Sequence, residues 1–119
     1  MNLDNALAAH ADWKVKLRVA LADHATLDAE TLASDCKCQL GLWLHGEGRA
    51  AHGASANFKT CVTAHADFHR AAGAIARAIN AKDYAAAEQQ LDVGTAFATA
   101  SSAVAVAVRR LKVETQAAA

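Results

Sequence analysis

Proline is absent from the 119-residue chain, glycine occurs six times, and neither sign of charge is in excess, since twelve Lys and Arg balance twelve Asp and Glu. Without proline, the strongest helix breaker, and with so little glycine, the composition holds almost nothing that interrupts a helix. Zero formal charge removes the basic footprint by which proteins hold nucleic acid or anionic membrane surfaces, so neither partner is expected. No apolar run reaches the roughly 18 to 20 uncharged residues that span a bilayer. The best candidate, Val93 to Val108, is broken by Gly94, Thr95, Thr99, Ser101 and Ser102. Asp4 and Asp12 stand where a secretory leader would be basic, and the expected location is the cytoplasm. Cysteine is scarce and odd in number, at Cys36, Cys38 and Cys61. That excludes a disulfide framework and leaves free thiols or metal ligands. The length suits one domain over residues 1–119 and is too short for a catalytic domain joined to a regulatory one.

Alanine is what the chain has in abundance, 33 of 119 residues. Alanine loses no side-chain entropy in a helix, so the expected fold is all-α. Leu3, Leu7, His10, Trp13, Leu17 and Leu21 step by three or four and mark a helix from about Asn2 to about His24. Ser34 or Asp35 can cap a short second helix from about Cys36 to His45, which Gly46 and Gly48 end. A connector rich in Gly, Ala and Ser runs to about Ser55. Phe58, Val62, His65, Phe68, His69, Ala72, Ile75 and Ile79 then mark a long third helix ending near Asn80. Asp83 caps a fourth, from about Tyr84 to Thr115, with Val93, Phe97, Ala100, Val104, Val108 and Leu111 on its stripe. Three long helices and one short one predict an antiparallel four-helix bundle. The fourth helix, about 48 Å long against about 33 Å for the first, would overhang one protomer. Ala96, Ala100, Ala103 and Ala107 would let a second helix pack closely, so a homodimer is expected.

Six histidines in so small a chain are the other excess. Four residues on a helix turn about 400° and rise about 6 Å, so His65 and His69 project from one face and can share an ion. Both lie on the apolar stripe beside Val62, Ala72 and Ile75, where an unpartnered imidazole is costly. His10, between Leu7, Trp13 and Leu17, would face the same interior as a third ligand. A soft fourth ligand must come from a cysteine. Cys61 sits on the stripe of the histidine pair, but about 6 Å along the axis from His65, which strains a shared site. Cys36 and Cys38 point about 200° apart if both are helical, and periodicity does not choose between them.

The segments His10-Ala-Asp-Trp13-Lys14, Cys38-Gln-Leu-Gly-Leu-Trp-Leu44 and His65-Ala-Asp-Phe-His69 resemble, in this order, the chemoreceptor zinc-binding domain family. That family is marked by a His on the first helix, a Cys-x-Leu-Gly-x-Trp segment and a His-x-x-x-His helix. The resemblance implies zinc ligands at His10, Cys38, His65 and His69. It also implies a cytoplasmic four-helix bundle, often a homodimer, attached to chemotaxis receptors or diguanylate cyclases and sensing zinc or oxidants. Three imidazoles and one thiolate agree with a closed tetrahedral zinc site of structural or sensory type. Cys38 would fall in the first turn of the short helix, where free N–H groups favour thiolate. Gly41 would let a neighbouring helix approach, and Trp13 and Trp43 would wall off the site. Asp12, Asp35 and Asp67 can accept from ligand N–H groups, although solvated surface suits each better. His24, His45 and His52 are read as surface residues.

No catalytic residue is expected. A catalytic zinc needs an open position and a general base, as in His-Glu-x-x-His, whereas position 66 is Ala and Asp67 turns away from His65. None of Glu30, Glu47, Glu88 or Glu114 has a His three residues on, which excludes inward di-iron pairs. The expected function is a zinc-binding regulatory or sensory domain. The alternative is a zinc-stabilised dimerisation module with no sensing role.

Overall fold

A computed structural model of the chain describes residues 1–117, with side chains to Thr115. It is all-helical, as the composition predicts. Three long helices, α1 (Leu3–Asp23), α5 (Ala56–Asn80) and α7 (Ala96–Ala117), carry four short ones: α2 (Ala29–Ala33), α3 (Gln39–Leu44), α4 (Glu47–His52) and α6 (Tyr84–Gln90).

The helix starts follow local chemistry. Asn2, Asp28, Ser55 and Asp83 cap α1, α2, α5 and α6, each side chain accepting a backbone N–H of the first turn. The end of α1 is sharp, because His24 takes the left-handed conformation at φ 52° and its ring stacks on Tyr84 at 3.8 Å. Helix α5 is the central element. Phe58, Phe68, Ala72, Ile75 and Ile79 are buried along it, facing Leu17 and Leu3 of α1 and Phe97, Val104, Val108 and Leu111 of α7. The connection from α5 to α7 turns at Gly94, whose φ of 81° suits only a residue without Cβ.

Two polar contacts fix the directions. Ser55, at the start of α5, donates to Glu114 near the end of α7 at 2.7 Å, and Lys112 of α7 donates to Asp4 at the start of α1 at 2.8 Å. Helix α7 is therefore antiparallel to both of the others, and α1 and α5 run parallel. A parallel pair needs a crossover, and residues 24–55, with α2, α3 and α4, supply it.

This differs from the expected bundle of four helices in three places. The long fourth helix is interrupted between Gln90 and Ala96. Thr95 caps the new start, its Oγ1 accepting the Ala98 N–H at 3.4 Å while its hydroxyl proton lies within reach of the Asp92 carbonyl at 2.7 Å. Helix α7 thus has 22 residues, close to the 21 of α1, and the overhang vanishes. Ala100 and Ala107 are buried inside the protomer, and only Ala96 and Ala103 of the four small residues are exposed. Within the crossover, the polar stretch before Ser34 folds as α2 because Leu32 and Ala29 bury against α5, and Gly48 sits beneath the Trp43 ring in α4. Tertiary burial, not propensity, makes both of these short helices.

Candidate metal centre

Helices α1 and α5 bring three imidazoles together. His10, His65 and His69 are 6%, 0% and 3% exposed, the only buried polar side chains among the described residues. Their rings meet edge to face, with centroids 5.0 Å apart for His10 and His65 and 4.5 Å for His65 and His69. Two rings are aimed by backbone carbonyls. His10 Nδ1–H donates to the Ala6 carbonyl at 2.7 Å, and His69 Nδ1–H donates to the Leu32 carbonyl of α2 at 2.7 Å. Since a carbonyl only accepts, both Nε2 atoms carry lone pairs and turn inward. His65 Nδ1 is buried without a partner, so no carbonyl aims this ring, which is held by packing and by the contacts of its Nε2.

The crossover brings the fourth donor. Cys38 is the N-cap of α3, and its Sγ accepts the Gly41 N–H at 3.3 Å. It lies 3.1 Å from His65 Nε2, 3.5 Å from His69 Nε2 and 3.8 Å from His10 Nε2, while His65 and His69 Nε2 are 3.0 Å apart. Around one tetrahedral ion with bonds of about 2.05 Å to nitrogen and about 2.3 Å to sulfur, N···N comes to about 3.3 Å and N···S to about 3.6 Å. The observed separations straddle these values. Two inward Nε2 lone pairs, a third imidazole whose Nδ1 has no other partner and a thiol thus stand at ligand spacing in a dry centre. The donor set therefore fits a metal ion.

Titration points the same way. Burial holds His10, His65 and His69 below the usual imidazole range, His65 down to about 3 with further repulsion from His69 and His10. The rings stay neutral, as ligands must. Burial pushes the Cys38 thiol up, against the backbone N–H groups of Gly41 and Leu40 that favour thiolate. The start of α3 does not by itself ionise this thiol.

The chemoreceptor zinc-binding domain family matches residues 10–76, more than half of the chain and a span that includes all four donors. The chain belongs to this family. No curated protein and no solved structure matches it. As a chemoreceptor zinc-binding domain it is a zinc binder, and the four-donor cluster is able to hold the ion.

The other sequence-selected residues lie as follows. Trp13 is half-buried and lines, with Leu27, Thr31 and Lys37, a cavity of about 280 Å³ that reaches Cys38 and His69 from the surface. Gly41 does allow a close approach, but by the Asp35 carbonyl of the crossover rather than by a neighbouring helix. Trp43 packs against His52, Phe58 and Gly48, anchoring α4. Cys61 is fully buried outside the cluster, its thiol pushed up to about 11 by burial. Asp12 and Asp67 pair on the surface with Lys16 and Arg70, and Asp35 contacts His45. The acceptors that aim the imidazoles are the Ala6 and Leu32 carbonyls. The i−4 spacing of Ala6 to His10 was legible in principle, whereas Leu32 comes from an element with no periodic signal.

Among the described residues no helix is long and apolar enough to cross a membrane.

Proposed function

We propose that residues 1–119 form one regulatory zinc-binding domain in which His10, Cys38, His65 and His69 are the ligands and Cys38 is the responsive member. The observation that carries this reading is the distribution of the donors. Three sit on the parallel helices α1 and α5, and only Cys38 belongs to the crossover. Bound zinc lowers the proton affinity of the Cys38 thiol and ties the crossover to the long helices.

The cavity beside Trp13, which Cys38 helps to line, is the entry for small oxidants in this reading. Oxidation of that sulfur removes the crossover's single donor, while His10 and His69 stay aimed by their carbonyls. Helix α3 also buries Leu40 and Leu44, worth about 1.5–3 kcal/mol each. Losing the sulfur donor therefore loosens the segment around α3 without detaching it, a two-state element with a chemical input.

Four protein donors fill a tetrahedral ion and leave no position for substrate, which supports regulation rather than catalysis. Membership of the family supports a cytoplasmic homodimer that modulates a chemoreceptor or diguanylate cyclase partner. Exposed Val15 and Val19 on α1 and Val106 and Val113 on α7 supply apolar surface for the dimer contact.

Hydrogen exchange tests the reading. After chelation or mild hypochlorous acid, protection falls first from about Asp35 to His45. Uniform loss along all helices would replace it with a purely structural zinc that stabilises a dimerisation module.

A further inference from the structure

The crossover holds a second group of metal-ligating side chains that the buried site does not use. Asp35 and Cys36 lie in the turn before α3 and His45 caps its C-terminus, and one donor atom from each lies within 4.8 Å of the others. His45 Nε2 is 3.1 Å from Asp35 Oδ2, and the Cys36 thiol donates to Asp35 Oδ1 at 3.4 Å. The two contacts use different oxygens of Asp35, so a small turn of the carboxylate and closure from within 4.8 Å bring one donor of each residue to the about 3.3–3.6 Å that one tetrahedral ion requires.

The backbone holds the group in place. The Cys36 N–H donates to Ser34 Oγ at 3.3 Å, and the Asp35 carbonyl lies directly against Gly41. The turn is thus seated on α3, one helical turn before His45. Cys36 and His45 are exposed and Asp35 is half-buried, so the group faces solvent.

We propose that Asp35, Cys36 and His45 form a second, solvent-open zinc site on the outer side of the crossover. Carboxylate, thiolate and imidazole together select a borderline cation such as zinc, since magnesium and calcium take oxygen donors only. Binding releases the Cys36 proton to water. Three protein donors leave a coordination position for water, so the ion exchanges freely, unlike one enclosed by four buried donors.

Zinc titration of the full chain already carrying one equivalent tests the site, alongside Cys36→Ser and His45→Ala. About one further zinc per chain binds the wild type, and each substitution weakens this second equivalent at least about tenfold while leaving the first unchanged. Cobalt added to the one-zinc protein gives a thiolate-to-cobalt absorption band that Cys36→Ser abolishes. Exposed residues carry both substitutions, so the fold is retained. No second equivalent at about 100 µM free zinc, weaker than about −5.5 kcal/mol, overturns the site. So does a second equivalent that survives both substitutions, or one taken up only as light scattering shows the chains associating.

Discussion

Replacing Gly41 by Ala tests whether the geometry of the crossover sets the metal centre. A Cβ at this position would meet the Asp35 carbonyl carbon at 2.8 Å and its oxygen closer still. Ordinary carbon contacts begin near about 3.5 Å, so α3 must retreat by at least about 0.7 Å, and both partners are backbone that cannot rotate aside. Cys38 rides on this movement, because it caps α3 and its Sγ accepts the Gly41 N–H. Metal–ligand distances tolerate only about 0.2 Å. The displaced sulfur therefore costs about 10- to 100-fold in zinc affinity, or about 1.4–2.7 kcal/mol. Overpacking costs the metal-free fold a further ~1–3 kcal/mol. Competition against a chromophoric chelator measures the first quantity and urea unfolding the second. Gly94→Ala is the control, since that residue has φ 81° with open space around it. It destabilises by about 1 kcal/mol through strain and leaves zinc affinity alone. A Gly41→Ala protein that binds zinc within twofold of wild type would refute the reasoning.

Alanine at His10, Cys38, His65 or His69 weakens zinc binding by orders of magnitude, whereas Cys61→Ala keeps the affinity and lowers only stability; zinc loss in Cys61→Ala with retention in Cys38→Ala would reverse the ligand assignment. The metal-free protein loses stability as pH falls. Burial depresses the folded-state pKa of His10, His65 and His69 below 6.5, so the unfolded chain binds more protons under that pH. The contribution is complete above about pH 6.5 and declines toward the His65 value of about 3. Equal urea midpoints for the metal-free protein at pH 7.5 and pH 5 would contradict this. Light scattering at micromolar concentration should give twice the 12.4 kDa chain mass, and a species of that single mass would exclude the homodimer.

Periodicity located the long helices because the rule is local. The stripe through Phe58, His65, His69 and Ile79 marks the buried face of α5, and Asp83 caps α6 as expected, whereas the cap expected at Ser34 or Asp35 falls on Cys38. The break at Gln90–Thr95 was hidden because Val93, on the expected stripe, is fully exposed in a turn at 87%. Helices α2 and α4 were hidden for a related reason. They are shorter than the length at which a helix is stable alone, so their sequence need not advertise them.

The same division runs through the metal centre. Sequence alone determined that the chain is helical and that His65 and His69 share one helix face, because a four-residue step on an α-helix fixes their relative direction. It also determined that His10 lies on an apolar stripe, where a neutral and partnered imidazole is favoured. Spacing could not choose Cys38 over Cys36, since that depends on which sulfur the crossover points inward. The family resemblance singled out Cys38, and the physical reason for it is tertiary. Parallel packing of α1 and α5 requires a crossover, Gly41 lets the Asp35 carbonyl seat it, and the cap of α3 turns Cys38 toward three imidazoles from other segments. Contacts between residues 10, 38 and 65 are set by packing across the whole molecule, which no local pattern encodes.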